Sequence, residues 1–521
     1  MPRPEALTAE EASREAAEMG VLEMGTRRRA WITFGVMMGM FLGALEATVV
    51  VTAMPTVVSS LGGLEIYSWV YSVYFLTATV TQPLWGRLSD LYGRKLFYLA
   101  GATLFITGSM LSGLSESMTQ LVFFRALQGT GAGALVPLGM TIVGDIYTLQ
   151  RRARIQGLFS GVWGLSSLVG PLLGGLITDY ISWRWVFFLN VPFGLAAGAI
   201  IGIGLIEPGK TREHRIDYTG AVLLITCLTC FFFGLDRWRF GEPGLTAHVL
   251  LGSAFVLLLA FLIQERNAVE PILPLHLFRD RIFSAAALNG FFSGMALFGA
   301  ISFIPLFVQG VLGTGATEAG WALTPLTLAW VTFSIVSGRL ILIIGYRKTV
   351  ITGMVLMMTG FFLLSRMTQD IAAWRMFTYM VLIGSGVGLS MVSMLIAVQN
   401  RVPRSLLGIA TSSTTFFRTV GASIGIAIMG TVMAREMLSR LAALKSAGYG
   451  DTIDYLAGHP DTIVNPLART QIPEPVLNTL QGLLGVVLQD VFFVAFVVSV
   501  FAFASSFLVP GGSVEAHARR K

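Results

Sequence analysis

One carboxylate, Glu46, lies inside the apolar run MGMFLGALEATVVVTAMP, which covers residues 38–55. An ionised side chain at the centre of a bilayer costs several kcal/mol, roughly 2.5–3.5 on insertion scales. Such a residue is therefore expected to face a cavity or a charged partner. A carboxylate whose charge is opposed by burial and favoured by a nearby cation can exchange a proton near neutral pH. Proton exchange is the chemistry that Glu46 predicts.

Three further charged residues lie within apolar runs, namely Arg125, Arg418 and Asp490. We expect Arg125 to be the charge partner of Glu46 and to respond when that carboxylate changes its charge. A static Glu46–Arg125 pair that only holds two helices together is the alternative. Three other acidic residues fall at the ends of apolar runs and are expected at the membrane interface: Asp145, Asp236 and Glu318.

The composition is that of a membrane protein. Hydrophobic residues make up 54% of the 521 residues and charged residues only 12%, about half of the roughly 25% that is typical of soluble domains. Positive residues occur in short clusters between apolar runs, a pattern that disfavours nucleic-acid binding. Cys227 and Cys230 lie in the apolar run AVLLITCLTCFFFG and are interpreted as small apolar residues. The sequence has no Walker A motif, zinc spacing or nucleophile elbow, so we expect no enzyme activity, no metal and no cofactor, and an ion gradient as the energy source.

Runs of about 20 apolar residues, the length needed to cross a bilayer, recur fourteen times along the chain. We number these spans 1 to 14, and they lie near 31–58, 67–89, 96–114, 120–145, 155–180, 186–206, 218–236, 246–264, 282–308, 319–343, 349–366, 375–399, 408–434 and 484–510.

Lys and Arg are concentrated in the tails and loops on one side of these spans, the side that carries both termini. The positive-inside rule therefore predicts cytoplasmic termini and a multi-pass protein of the inner (plasma) membrane. The connection 435–483 is predicted to be an external loop. We expect cytoplasmic tails at 1–29 and 511–521.

The chain also repeats itself. GRLSDLYGRK at 86–95 returns as GRLILIIGYRK at 338–348, with both glycines of the pair shifted by 252 residues, and a glycine pattern of span 5 returns in span 13. The repeat predicts an all-α polytopic membrane protein with six-helix bundles at 30–206 and 282–510, separated by two inserted helices at 207–281. Two such repeats with a central site between them describe an alternating-access transporter. Glu46 is then expected to face the central cavity.

Four stretches carry a resemblance to the 14-helix drug:proton antiporter branch of the major facilitator superfamily, and the resemblance covers roughly residues 30–510. They are GRLSDLYGRK (86–95), RALQGTGAG (125–133), GVWGLSSLVGPLLGG (161–175) and WRWVFFLNVPFG (183–194). The resemblance implies the major facilitator fold. In span 1 the sequence LEAT (45–48) is similar to the branch's acid-x-threonine motif, with Glu46 in place of the usual Asp, and this motif adds Thr48 to the site.

The resemblance also implies roles for two sets of residues. The loop between spans 2 and 3 is expected to steady one conformation by holding the halves together on the cytoplasmic side, where Asp90 can accept from Arg94 or cap a neighbouring helix. The alternative is that the cations of this loop only fix the orientation of the protein in the membrane. The second copy has Ile341–Ile344 around the place of Asp90, so the latch is expected to be asymmetric. The loop set is Gly86, Arg87, Asp90, Gly93, Arg94 and Lys95.

The span 5 set is implied to form a pliable seal for antiport, with structural packing as the alternative. It consists of Gly161, Gly164, Gly170, Pro171, Gly174 and Gly175.

Polar and aromatic side chains within the spans can line an adaptable pocket. The predicted lining residues are Gln128, Asn289, Phe292, Trp330 and Phe417. The predicted function is proton-coupled export of hydrophobic or amphiphilic compounds, cations among them, although Arg418 and the lack of an acid in span 13 disfavour dications. The expected partners are such substrates, protons and membrane lipids, and we expect a monomer. Export of a lipid, siderophore or other metabolite by the same fold is the alternative, and a non-transporting sensor or scaffold is a remote one.

Overall fold

The computed structural model describes residues 24–61, 67–147, 149–207, 217–239, 244–269, 271–314, 316–403, 406–446 and 474–510. Most of both tails and residues 447–473 therefore lie outside the described residues. The same holds for the surroundings of individual residues within the helices, including Thr48, Pro171, Gly175 and Asp236.

The described chain is helical and forms fourteen rods, which we label α1 to α14. In chain order these are Thr26–Leu61, Tyr67–Tyr92, Arg94–Gly113, Met118–Ile146, Leu149–Tyr180, Trp185–Gly204, Tyr218–Arg239, Leu245–Asn267, Arg281–Val311, 316–344, 346–364, Ala373–Arg401, Leu407–Ser446 and Glu474–Ser506. The rod α6 is interrupted at Leu189, α9 ends in a π-helical turn at Phe307–Val311, and α10 and α11 meet at Gly345.

The rods match the predicted spans in number, whereas the predicted external loop 435–483 is too long. α13 continues to Ser446 and α14 begins at Glu474. The extension of α13 contains Arg440, which pairs with Glu436 one turn earlier and with Asp490 of α14 at 2.8 Å. These ion pairs stabilise helical turns that hydropathy alone assigns to a loop.

The surface of the rods is apolar. In the described part of the chain, nine helical stretches are long and apolar enough to cross a membrane, with Trp321–Leu364 counted as one. Large apolar side chains on them face outwards, for example Ile203 and Ile343, which are 82% and 77% exposed. The protein is therefore a multi-pass membrane protein.

The core is divided between the two ends of the chain. α1 to α6 pack around two clusters of buried residues, and α9 to α14 pack around a third that includes Phe283, Phe361 and Phe492. α7 and α8 pack against each other, and α7 also contacts α2 and α13. The inserted pair therefore covers the seam where α2 meets α13.

Two glycines with left-handed backbone mark the same turn in each half. Gly93, between α2 and α3, has φ 111°, and Gly345, between α10 and α11, has φ 81°. Side chains rarely adopt such angles, which glycine takes at little cost. The two residues are 252 positions apart, the offset of the sequence repeat.

The halves meet along two seams. At one, Gly86 of α2 lies against Gly408 and Ser412 of α13. At the other, Gly164 of α5 lies against Thr327 and Val331 of α10. Glycine allows the two rods of each seam to approach closely.

Candidate functional site

Glu46 and Arg125 form a buried ion pair. Arg125 Nη1 donates to Glu46 Oε1, and each side chain is only 1% exposed. The contact expected from the sequence is therefore present, between the middle of α1 and the first third of α4.

A closed hydrogen-bond network surrounds the pair. Asn190 Nδ2 donates to Glu46 Oε2 at 2.5 Å and to Ser109 Oγ at 2.9 Å. Gln128 accepts from Arg125 Nη1 at 2.7 Å and donates through Nε2 to Ser109 Oγ at 3.1 Å. Side chains of α1, α3, α4 and α6 thus share one network, in which the carboxylate is bonded through both oxygens.

α2 completes the surroundings of the arginine. Arg125 Nε donates to the carbonyl oxygen of Val70 at 3.2 Å, and the guanidinium lies 4.2 Å from the ring centre of Tyr74. The face of an aromatic ring attracts a cation, most strongly where water is excluded. Five rods therefore hold one carboxylate and one guanidinium.

The position of the pair differs from the expected one. Glu46 is 2% exposed and does not line the cavities described below, because α2, α3, α4 and α6 surround it within the first half. Thr48, the other residue of the motif in α1, lies outside the described side chains. Solvent therefore reaches Glu46 only if these helices move.

The sequence prediction missed Asn190, Ser109 and Tyr74. Asn190 is the one uncharged amide in WRWVFFLNVPFG, the stretch that carries part of the resemblance. A buried amide in an apolar helix needs partners, so this residue offered a signal. Ser109 and Tyr74 offered none.

A second cluster, which we call the latch, joins the halves at the α2–α13 seam. Asp90 forms an ion pair with Arg94 and accepts from the backbone N–H groups of Gly408 (2.9 Å) and Ile409 (2.7 Å). The amino end of a helix favours an anion, because its first N–H groups have no partner within the helix. Asp90 therefore pairs with the arginine and caps α13 at once.

Two further acidic residues support the latch, a role that the sequence did not predict for either of them. Asp145 at the end of α4 accepts from Arg94 Nε at 3.2 Å. Glu207 accepts from the backbone N–H groups of Arg94 (2.6 Å) and Lys95 (3.2 Å) and so caps α3. Arg87 Nε is buried and has no hydrogen-bond partner among the described residues.

Arg418 of α13 borders three small cavities of about 40, 10 and 50 Å³. The first and third lie between the halves, and the second lies within the second half. Asn289 lines the first, and Trp330 lines the other two. They hold a few water molecules at most, whereas drug-sized ligands occupy about 300–1,000 Å³. The protein is therefore closed around Arg418.

The other residues selected as pocket lining lie elsewhere. Gln128 belongs to the Glu46 network. Phe292 stacks on Phe501 of α14 with ring centres 5.6 Å apart. Phe417 packs against Phe278, on the side of α13 that faces the inserted helices. The rotation of each helix about its axis decides these positions.

The glycines of α5 form part of the second seam. A Cβ added at Gly161 would lie 3.6 Å from Val331 Cγ1. A Cβ added at Gly164 would lie 3.0 Å from both Thr327 Cγ2 and Val331 Cγ2. Gly170 and Gly174 are buried further along the helix. Pro171 and Gly175, the other two members of the predicted span 5 set, have surroundings that lie outside the described part of the protein.

Among the described residues, no group of three or more His, Cys, Asp or Glu side chains lies close enough together to hold a metal ion. Cys227 and Cys230 are free thiols, and Cys227 Sγ lies 3.2 Å from the carbonyl oxygen of Ala254. This packing agrees with their interpretation as small apolar residues.

Two helical halves with a buried ion pair and small cavities between them are the arrangement expected of a membrane transporter. Residues 36–426 match the profile of the Major Facilitator Superfamily. The chain belongs to the major facilitator superfamily and is a transporter, not an enzyme.

Relatives and one solved structure agree with this family. The chain is 38% identical to multidrug transporter protein MdtP of Bacillus subtilis, over 78% of this chain and 75% of that protein. It is 34% identical to multidrug resistance protein 3 of the same organism, over 91% and 93%. The crystal structure of the human organic anion transporter MFSD10 (TETRAN) covers 90% of this chain and 99% of its own with a TM-score of 0.60, and at 14% identity it shows the fold alone.

Proposed function

We propose that this protein is a proton-coupled antiporter that exports hydrophobic or amphiphilic compounds by alternating access. The observation that carries the proposal is the fully buried Glu46 carboxylate, which is bonded to Arg125 and Asn190 inside the membrane. Relatives named as multidrug transporters support small molecules as the cargo.

The coupling step that we propose is a change of charge at Glu46. When the carboxylate is ionised, it holds Arg125 of α4 and Asn190 of α6 against α1. Protonation removes the negative charge, so the guanidinium loses its counterion and the helices that share the network can separate. Because Glu46 is enclosed by helices of the first half, the proton enters and leaves only when these helices shift as the halves rearrange, as an antiporter requires.

The latch defines the closed side in this mechanism. Asp90 bridges α2 to the first N–H groups of α13, which belong to opposite halves. We place this side in the cytoplasm, together with both termini, because it carries Arg94, Lys95 and most other loop cations. The conformation is then closed to the cytoplasm. We also propose the plasma membrane as the location, a lipid-embedded monomer as the working unit, and the proton gradient as the energy source.

Proton movement in inside-out vesicles tests this proposal. The probes are three molecules with one aromatic body and different charges: 1-pyrenebutyric acid, 1-pyrenebutanol and 1-pyrenebutylamine. A substrate among them is expected to release protons from energised vesicles, read with a pH-sensitive dye. We expect Glu46→Gln to abolish this release and Glu46→Asp to retain it.

The control is Glu436→Gln, which removes a 42% exposed carboxylate at the far end of α13. Its proton release should equal that of the wild type. Unchanged release in Glu46→Gln would refute the coupling role and leave the static pair as the function of Glu46. No release with any probe, together with an altered lipid composition of expressing cells, would favour lipid export by the same fold.

A further inference from the structure

Arg418 is a partly buried cation without a counterion among the described residues. It lies deep within α13 and keeps part of its surface open to the small cavities between the halves. The ion pairs of the described chain do not include it. Its one described side-chain hydrogen bond runs from Nη1 to Met391 Sδ at 3.1 Å, and a thioether is a weak acceptor.

The lining of these cavities supplies no negative charge. The polar side chains around Arg418 are neutral, and they are Asn289, Ser293, Ser390, Thr414, Thr415 and Trp330. None of the residues that line the three cavities is acidic. A ligand between the halves therefore meets a net positive charge.

Trp330 adds a second donor at the same place. Its indole Nε1 is buried and has no hydrogen-bond partner in the described part of the protein. Trp330 and Arg418 line the same two cavities. Buried donors are nearly always satisfied, so a buried indole N–H without a partner, beside a guanidinium without a counterion, indicates an acceptor that arrives with a ligand.

The comparison with Arg125 shows how unusual this arrangement is. Both arginines lie at membrane depth, but Arg125 has a carboxylate, a carbonyl oxygen and an aromatic face as partners. Leaving a cation unpaired in a low-dielectric interior is expensive. A ligand that carries an anionic group would supply the missing counterion.

We propose that the substrate of this transporter is an amphiphilic organic anion whose carboxylate, or an equivalent acidic group, binds Arg418 with Trp330 as the second donor. The apolar part of the substrate then lies against Phe159, Trp163 and Phe298, which line the largest of the three cavities. Since the cavities are too small for such a molecule, the halves part around Arg418 before it enters. The inference rests on the proposed function, in which cargo crosses between the halves.

Binding of the three pyrene probes to the purified protein tests this inference without a proton gradient. The protein is reconstituted in phosphatidylcholine, and binding is followed by energy transfer from tryptophan to pyrene. The wild type should bind pyrenebutyrate at least about tenfold more tightly than pyrenebutylamine, since a carboxylate provides the counterion that Arg418 lacks and an ammonium group is repelled by it. Arg418→Gln should lose this preference and keep its affinity for pyrenebutanol, whereas Arg418→Lys should retain most of the preference.

Arg440→Gln is the matched control, because it removes a 38% exposed arginine of the same helix that is paired with Asp490. It should bind like the wild type. Retained binding of pyrenebutanol shows that Arg418→Gln is folded, so a lost preference reports on charge. Equal or tighter binding of pyrenebutylamine to the wild type, or an unchanged preference in Arg418→Gln, would overturn the inference.

A second membrane composition separates two sources of the acidic group. If phosphatidylglycerol added to the vesicles competes with pyrenebutyrate in the wild type and not in Arg418→Gln, the anion is a lipid headgroup. If it does not compete, the anion is a free compound. A charge preference that depends on Arg418, combined with no proton release in vesicles, would refute the proposed coupling and leave the substrate class standing.

Discussion

Glu46 has two interpretations at the scale of single residues, and its surroundings bear on both. Its two oxygens are bonded to Arg125 and Asn190, so the ionised form is well satisfied in this conformation. A static pair and a proton carrier both fit that geometry. They differ in what happens when the carboxylate is neutralised, because only a proton carrier uses the released Arg125 to change the packing of the helices.

The energetic coupling between Glu46 and Arg125 is the first prediction at this scale. Removing one partner of a buried pair leaves an uncompensated charge and costs about 3–5 kcal/mol. Glu46→Gln and Arg125→Gln should each lower the free energy of unfolding substantially, and the double variant should lose less than the sum. The measurement is denaturation in mixed micelles, with a coupling energy of about 1–3 kcal/mol expected from the cycle.

The Arg440–Asp490 pair provides the control cycle. Its side chains are 38% and 42% exposed, and exposed pairs contribute about 0.2–1 kcal/mol. Equal coupling energies for the two pairs would show that burial does not strengthen the interaction between Glu46 and Arg125.

At the scale of elements, the two halves use the same turn with different chemistry around it. Gly93 and Gly345 both take a positive φ between two rods. Asp90 lies three residues before the first glycine and caps α13, whereas the position three residues before the second is Leu342, which is 45% exposed. The expected asymmetry of the latch is thus present as a difference in contacts: one copy holds the opposite half and the other faces outwards.

Removing the cap on α13 is the prediction at this scale. Asp90→Asn should lose the charge that binds Arg94 and weaken the bonds to Gly408 and Ile409. We expect the seam to open on that side. A cysteine placed at Ser412, which is fully buried there, should react with a maleimide several-fold faster in a background without Cys227 and Cys230.

Asp280→Asn is the matched control for the latch. Asp280 caps α9 through the N–H groups of Ile282 and Phe283 and pairs with Arg401, all within one half. Its loss should reduce stability by about 1 kcal/mol without changing the labelling rate at residue 412. Equal labelling in the two Asn variants would contradict a gating role for Asp90.

At the scale of the whole molecule, the two seams are the surfaces that must open and close. The latch holds one end of the α2–α13 seam. At the second seam, glycines allow α5 to lie close against α10. α7 and α8 cover the first seam from outside, through contacts that include Phe261 and Phe416. A transporter that alternates between two states must separate and re-form these contacts in turn.

A bulky residue in the α5–α10 seam should stop transport. A Cβ at Gly164 would already lie 3.0 Å from Thr327 and Val331, so Gly164→Val forces the rods apart and prevents closure. We expect loss of pyrene-probe transport in vesicles with a melting temperature near that of the wild type.

Gly198→Val on α6 is the control for this change, because the nearest atom to its added Cβ is Leu99 Cδ2 at 3.8 Å, an ordinary contact within one half. Its transport should be unaffected. Normal transport by Gly164→Val would show that close approach of α5 and α10 is not needed.

The spans, the repeat, the family and the charges inside the spans could be predicted from the chain, because hydropathy, glycine spacing and charge within apolar runs are local properties. The pairing of Glu46 with Arg125 was predicted in the same way. The contacts around these residues and in the latch come from folding: Asn190 meets Glu46 from 144 residues away, and Asp90 meets Gly408 from 318 residues away.

Two further facts could not be predicted locally: Glu46 is enclosed in the first half, and Arg418 is the charged residue among the described residues that line the small cavities. Both facts depend on how far each helix is rotated about its axis. Spans that are apolar on nearly every side do not encode that rotation locally, so packing against the other helices sets it.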